Sequence, residues 1–462
     1  MADIDRYDVV VIGAGPGGTA AALRAADLGA RVVVLEAARL GGTCVNSGCV
    51  PTRVLARAAR LIRDARSAHE HGVVVGDVSL DWRAMVDRVH ARVDEVRAMK
   101  REAERFAAAG VDLVQEGRAR FVDQHTLELD SGRRIAGDSI LVCVGGHARR
   151  LPIPGAELAV LPDEVLDLPA LPDRVAVIGG GNTGAQLATV LAAFGAHVTL
   201  LDLAPRILMP SDAEISAEIA RSFVERGVDV RCGIEGVSRL ERSDSGAIDL
   251  VLVEDGEERT LEVDGVIMAT GWPADVADLG LEHAGLQVER GAIPADDYLR
   301  TAVPHIFAVG DANGRDMLVQ AAQFEGEAAA ENAVLGASVR APHRLLPAGG
   351  FTDPDYAGVG FTEAEARERD AQCVVATVHY DAVDRAVIDD RDAGFLKLVV
   401  DRSRSTVLGA HAVGESAVEV VQALTTAMAA GVRVQTLAEV RFAYPTYSAI
   451  IGMAARAVLA AR

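Results

Sequence analysis

The stretch Gly41-Gly42-Thr43-Cys44-Val45-Asn46-Ser47-Gly48-Cys49-Val50-Pro51-Thr52-Arg53 carries two cysteines five positions apart, set among glycines, with a proline two residues after the second. A regular helix would hold positions i and i+5 roughly 8–9 Å apart on different faces, whereas a disulfide needs its Cα atoms within about 7 Å. If the two sulfurs bond, the backbone between them is irregular, and Gly48 permits that. Pro51 then fits the first turn of a following helix, where its missing N–H costs nothing. A bridge over so short a loop removes little chain entropy, so the pattern points to a working disulfide rather than a staple. Two buried free thiols, or half of a metal site, are the alternative readings. No second Cys pair or His pair stands nearby at ligand spacing, which argues against zinc.

The elements around this stretch are those that hold nucleotides. Tyr7 to Ile12 reads as a strand, Gly13-Ala14-Gly15-Pro16-Gly17-Gly18 as a glycine turn, and an Ala-rich helix runs to about Leu28. A second strand, Arg31 to Leu35, ends in Glu36. Gly13, Gly15 and Gly18 form G-x-G-x-x-G in the context that gives the motif meaning. The glycines let a pyrophosphate approach the positive end of the helix, and Glu36 can accept hydrogen bonds from a ribose. The same pattern recurs at Val175–Ile178, Gly179-Gly180-Gly181-Asn182-Thr183-Gly184, a helix to about Phe194, and His197–Leu201 ending in Asp202. In both units the acid follows the first glycine by 23 positions (13 to 36, 179 to 202), which points to two dinucleotide sites. Asp202 favours NAD over NADP, whose 2′-phosphate an acid repels, although Arg206 nearby weakens that preference.

Between the two units, apolar spacing predicts helices over about 52–71 and 80–109, then short strands through 111–146 and a hinge at Pro152, Pro154 and Gly155. Val266–Gly271 closes the second unit, and Ile306–Asp311 is a further strand ending on Gly-Asp. Asp311 there is either an acceptor at a strand end or a helix N-cap. Residues 350–462 change character: strands at 373–378, 395–400 and 407–413 alternate with helices at 363–369, 417–430 and 447–460, with no nucleotide motif. Half of the 462 residues are hydrophobic, 45 are glycine and the formal charge is −21 without a basic block. That balance argues against nucleic acid or an anionic membrane surface as partner. A polar N-terminus, Met1 to Arg6, and the lack of a long apolar run give the expectation of a cytoplasmic protein. Cys143, Cys232 and Cys373 read as small buried hydrophobes, leaving one close pair as the catalytic candidate.

With these parts in order, the chain resembles the flavoprotein pyridine nucleotide–disulfide oxidoreductases, a family that includes lipoamide dehydrogenase, glutathione reductase and, closest in detail, mercuric reductase. The resemblance implies an α/β fold: two Rossmann-like dinucleotide-binding domains plus a C-terminal α+β dimerisation domain. The FAD domain would be split over 1–150 and 272–345, around an NAD(P) domain at 151–271, with the interface domain at 346–462. Carried over, Gly13, Gly15, Gly18 and Glu36 hold the ADP half of FAD and Asp311 meets the ribityl chain, while Gly42, Thr43 and Gly145 complete the flavin's surroundings. Gly179, Gly181, Gly184, Gln186, Asp202 and Gly271 fall to the nicotinamide nucleotide, NAD with NADP as the variant. The resemblance makes Cys49 the thiolate beside the flavin and Cys44 the thiol that faces the substrate. It also implies a homodimer whose active sites are completed by the partner's C-terminal segment.

Four departures bear on function. The reductases of organic disulfides carry His-Pro followed by Glu; here Tyr444-Pro445 and Ala449 stand in those places, in Phe442-Ala443-Tyr444-Pro445-Thr446-Tyr447-Ser448-Ala449. A tyrosine near pKa of about 10 is a poor base for a thiol of about 8.5, so Tyr444, with Tyr447, reads as a hydrogen-bond donor lining the acceptor side. The chain ends Leu459-Ala460-Ala461-Arg462 without the cysteine pair that mercuric reductase uses to hand over metal. Arg53 and Gln186 replace a Lys and a Glu that pair beside the flavin, giving the expectation of a net positive pair that stabilises the Cys49 thiolate. Asn182 replaces an aromatic gate at the nicotinamide, and Trp272 replaces the Arg after Ala269-Thr270-Gly271. The expected activity is electron transfer from NAD(P)H through FAD and Cys44–Cys49 to a disulfide or thiol-bound metal. A flavin-dependent dehydrogenase or quinone reductase, and a flavin-bound redox sensor, are the rival readings.

Overall fold

In the computed structural model, residues 4–336, 338–341, 345–369, 372–403 and 405–461 are described; the first three residues and Arg462, on which part of the reading of the termini rests, lie outside them. The chain divides into two compact units. The first comprises Met1–Val54, Ala84–Arg149 and Gly271–His343, and the second Leu55–Arg83, Arg150–Thr270 and Arg344–Arg462.

The first unit is built on a seven-stranded sheet. Its central strand, Ile4–Ile12, lies parallel to Val32–Leu35 on one side and Arg134–Val142 on the other. Four consecutive buried residues in Val32–Leu35 fit a parallel strand covered on both faces. Alternation does the sorting. Val10, Ile12, Val33 and Leu35 enter one core with Phe121, Leu127 and Ile306. Val9, Val11, Val32 and Val34 enter the other with Ala21, Ala25 and Phe106. Besides Ile4–Ile12, the long strand Arg134–Val142 serves two further partners: its first residues pair antiparallel with Thr126–Leu129, its last with Ile306–Ala308 in parallel. The helix Pro16–Asp27 packs on Val319–Leu335 through small residues; a Cβ on Gly326 would run into the Gly17 carbonyl.

The helix expected over 80–109 is two helices, Trp82–Lys100 and Glu102–Ala108, because Arg101 between them is left-handed at φ 50°. The helix after the cysteines begins earlier than expected, as Cys49–Ser67, and finishes as a 3₁₀ turn, Ala68–His71.

The second unit contains a parallel four-stranded sheet in the order Gly265–Met268, Arg174–Ile178, His197–Asp202, Asp229–Cys232. Beside it runs an antiparallel meander, Gly236–Arg242, Ile248–Glu254 and Glu257–Val263, that sequence reading passed over. Residues 348–413 form a five-stranded antiparallel sheet, with Ala417–Ala429 and Ala449–Ala460 in its core. Ala348–Gly350 and Tyr356–Gly360 are strands the apolar pattern did not reveal, since glycines occupy four of those eight positions. Lys397, 2 % exposed, is bound by Asp212 and Glu214 at 2.9 Å and Glu363 at 3.1 Å. It thereby ties the start of the helix Ala213–Glu225 to the antiparallel sheet.

Candidate functional site

Cys44 lies in a short helix, Gly42–Asn46, and Cys49 is the first residue of Cys49–Ser67. The turn between them is closed by Ser47 N–H and Gly48 N–H, which both donate to the Thr43 carbonyl at 3.0 and 2.7 Å. The positive φ that allows this bend sits at Gly41 (98°) and Gly42 (61°), not at Gly48. Gly48 is needed for space instead: a Cβ there would press on the Thr43 carbonyl at 3.1 Å. The Gly48 carbonyl accepts the first helical bond, from Thr52 N–H, so Pro51 does sit in the first turn. Asn46 fixes the loop, its side-chain N–H₂ donating to the Leu40 and Gly42 carbonyls and its Oδ1 accepting from Arg97.

Both cysteines are free thiols here, and they share a hydrogen bond. The Cys44 thiol, donating to Cys49 and partly desolvated, is pushed well up. Cys49 is lowered to about 7. The largest cause is the bond from Cys44; its own backbone N–H at the helix start adds to it, against desolvation and the nearby Asp311 carboxylate. When Cys49 ionises, the remaining proton stays on Cys44, because the two sulfurs have opposite tendencies. Of the other cysteines, Cys143 and Cys373 are buried as expected, while Cys232 is only half-buried at the end of its strand.

The two glycine turns are built alike. A Cβ on Gly13 would meet the Cys143 carbonyl at 2.5 Å, and on Gly179 it would collide with the Ala269 carbonyl. Gly18 and Gly184 each lie against the carbonyl of the first glycine of their own turn. The middle glycines differ in purpose. Nothing stands within 4 Å of a Cβ on Gly181, and only the Gly42 Cα lies near one on Gly15, at 3.7 Å. No side chain caps either helix, so the amide-lined mouths are open cradles of the kind that receive a pyrophosphate. The acids have a structural task that sequence reading missed. Glu36 accepts from Ala14 N–H at 2.7 Å and Ala38 N–H at 2.8 Å; Asp202 accepts from Gly180 N–H at 2.5 Å and Ala204 N–H at 2.7 Å. Each carboxylate thus braces its own glycine turn. Arg206 turns its guanidinium onto the Leu208, Met209 and Ser211 carbonyls. These residues fit two dinucleotides.

Asp311 lies inside a 3₁₀ turn, Gly310–Asn313, and is no helix N-cap: the residue capping Val319–Leu335 is Leu318. Burial pushes its carboxyl up, and the indole N–H of Trp272, donating to it, works the other way. The fully buried Glu325 anchors the turn, accepting from Gly310 N–H at 2.6 Å and the Asn313 side chain at 2.7 Å. Neither Glu325 nor the Trp272 contact had a sequence signal beyond residue type. Thr43 donates to the Gly146 carbonyl at 3.5 Å, next to the open turn of Gly145 at φ 70°. Gly271 is likewise open, at φ 113°. The structure thus places Cys44, Cys49, Gly13, Gly15, Gly18, Glu36, Gly42, Thr43, Gly145, Gly271 and Asp311 in the first unit, and Gly179, Gly181, Gly184, Gln186 and Asp202 in the second.

Arg53 is half-buried four residues after Cys49, on the same helix. Gln186 is engaged within its own unit: its N–H₂ donates to the Asn182 carbonyl at 2.9 Å and its oxygen accepts from Phe351 N–H at 3.2 Å. Asn182, in turn, accepts from the buried Tyr356 hydroxyl at 2.7 Å. Tyr444 and Tyr447 belong to the second unit, apart from the cysteines' unit. Tyr444 is 77 % exposed and raised by its hydrogen bond to Asp384. Tyr447 donates to Asp389 at 2.9 Å.

Among the described residues, no helix is long and apolar enough to cross a membrane. A family model described as pyridine nucleotide-disulphide oxidoreductase matches residues 7–326, and the dimerisation domain of the same family matches 346–455. A dihydrolipoyl dehydrogenase of Haloferax volcanii is 34 % identical, over 98 % of this chain and 96 % of that one. A mercuric reductase of Bacillus cereus is 33 % identical over 95 % of this chain and 69 % of its own length. The HOCl-induced flavoprotein disulfide reductase RclA from Escherichia coli superposes with a TM-score of 0.85 at 27 % identity, over 97 % of this chain and 99 % of that one. Its Cu(II) complex gives the same TM-score and identity. On sequence across nearly its whole length, and on fold, the chain belongs to the pyridine nucleotide–disulphide oxidoreductase family.

Proposed function

We propose that this chain is a homodimeric FAD enzyme that takes two electrons from NADH and delivers them through Cys44 and Cys49 to a small disulfide or a thiol-bound metal ion. The observation that carries the reading is the asymmetric pair, with Cys49 lowered to about 7 at a helix start and Cys44 donating its proton to it. FAD, when bound, supplies the two-electron relay between the nicotinamide and the sulfurs. The residues that would hold it are Gly13, Gly15, Gly18, Glu36, Gly42, Thr43, Gly145 and Asp311, making 1–150 with 272–345 the FAD domain. Gly179, Gly181, Gly184, Gln186 and Asp202 would hold the nicotinamide nucleotide in the second unit, and 346–462 would form the dimer interface. NAD is preferred over NADP because Asp202 closes the second turn while Arg206 is committed to backbone carbonyls.

At neutral pH about half of the reduced pairs hold a single proton, and in these the Cys49 thiolate is itself the base that takes the Cys44 proton as Cys44 reacts, with no external base. Cys44 then attacks one sulfur of the acceptor, forming a mixed disulfide and expelling one thiolate. Cys49 attacks the Cys44 sulfur, closing the Cys44–Cys49 bond and expelling the second thiolate. The two leaving thiolates take one proton from the pair and one from water. This proton economy suits a chain with Tyr444 where a base would stand, because Tyr444 donates to Asp384 and is raised by it. Arg53, one helical turn after Cys49, adds positive charge on that face.

The experiment is steady-state NADH oxidation with a disulfide, with Cu(II) or Hg(II) held by thiols, and with a quinone, for wild type and Cys44→Ser. Loss of disulfide and metal turnover with retained quinone turnover supports the relay. Undiminished disulfide turnover in the variant overturns it in favour of direct flavin chemistry.

A further inference from the structure

We propose that Trp272 is a positioning residue of the flavin site, its indole N–H holding the Asp311 carboxylate while its ring braces the turn at Gly145 and Gly146. The inference rests on the FAD reading and names a residue that reading did not use. Residues 145–147 and 273–275 are stitched together: His147 N–H donates to the Pro273 carbonyl and Asp275 N–H to the Gly145 carbonyl, both at 3.0 Å, with a bridge between Gly146 and Ala274. Trp272 lies at the start of that seam. A Cβ on Gly146 would come within 2.5 Å of its Cδ1 and 2.7 Å of its Nε1, so the indole rests directly on the turn and only glycine leaves it room. The Gly146 carbonyl is also where Thr43, next to Cys44, is tied.

Through the same indole N–H Trp272 meets Asp311, whose turn is held by Glu325 through Gly310 and Asn313. The groups acting on the Asp311 carboxyl are therefore the Trp272 N–H and its own backbone N–H, which favour the charged form, and burial with the Glu325 carboxylate, which oppose it. Asp311 in turn acts through its charge on Cys49, whose thiol it pushes up. One donated bond from a rigid indole fixes the plane of the carboxylate and leaves lone pairs for the hydroxyls of a polyol chain. Trp272 thus joins the Gly146 turn, the Asp311 acid and, through Thr43, the cysteine loop into one rigid wall.

The test is reconstitution of FAD-depleted full-length protein with FAD, followed by flavin fluorescence between pH 5.5 and 9, for wild type, Trp272→Phe and Trp272→His. Phe keeps the ring and deletes the donor; His restores a ring N–H. The Phe variant should bind FAD about tenfold more weakly at pH 7.5. Its acid-side loss of affinity should begin at higher pH than in wild type, and the His variant should recover part of both. A Phe variant with wild-type affinity and an unshifted profile overturns the inference, whereas a wild type that takes up no FAD overturns the cofactor reading itself. A second measurement leaves Trp272 in place. In protein labelled with ¹⁵N-tryptophan and assigned with Trp82→Phe, the Trp272 indole proton should move upfield in Asp311→Asn. An unmoved resonance refutes the contact.

Discussion

Replacing Cys44 by alanine deletes the largest cause of the low Cys49 pKa while leaving the helix start intact. The drop from 9.0 to about 7 corresponds to at most about 2.7 kcal/mol of preference for the thiolate, shared among the Cys44 bond, the helix N–H and their opponents. Cys49 is exposed, so screening by water reduces what one donor contributes to about 1–1.5 kcal/mol. Cys44→Ala should therefore raise the Cys49 pKa by about one, and the thiolate fraction at pH 7 should fall from about one half to about one tenth. The assay is iodoacetamide alkylation of Cys49 in reduced, flavin-depleted protein from pH 5.5 to 10, with labelling located by peptide mass. The reaction should be roughly fivefold slower at pH 7 and converge with wild type above about pH 9.5. A rate profile that stays at wild-type position refutes the shared-proton argument, and with it the reason why no separate base is required.

Asp311→Asn should move the same profile the other way, to lower pH, because the carboxylate that opposes the Cys49 thiolate is gone; an upward move would show that Asp311 acts otherwise. Gly184→Ala drives a methyl into the Gly179 carbonyl, so it should abolish flavin reduction by NADH while the protein still carries FAD, and Gly18→Ala should lose the FAD itself. Absorbance spectra before and after NADH separate these outcomes. Lys397→Met leaves Asp212, 4 % exposed, without its cation and should cost about 3–5 kcal/mol of stability in urea unfolding; a loss under about 1 kcal/mol would mean that solvent already compensates those carboxylates.

The glycine turns and their acids were legible because spacing, not environment, defines them: 13 to 36 and 179 to 202 survive as matched strand–turn–helix–strand units. The parallel sheets followed from runs of β-branched residues, and the C-terminal strands from runs such as Phe395–Val400. What escaped was set by partners distant in sequence. The Gly236–Val263 meander alternates polar and apolar residues too irregularly to announce itself. Arg101 breaks a helix through a backbone state that no neighbouring Gly or Pro marks. The bracing of Ala14 by Glu36, the Trp272–Asp311 contact and the Glu325 anchor each join residues whose proximity only the folded sheet creates. The cysteine bend was predicted but credited to Gly48, whereas the positive φ belongs to Gly41 and Gly42, before the pair rather than within it.

The relay is tested most directly by counting thiols across one reduction. FAD-loaded enzyme is oxidised, made anaerobic and given one NADH per subunit, then alkylated and digested so that the peptide bearing Cys44 and Cys49 is weighed before and after. Neither cysteine should be labelled beforehand, and both should be labelled afterwards. A flavin that bleaches while the labelling of that peptide stays unchanged contradicts the relay.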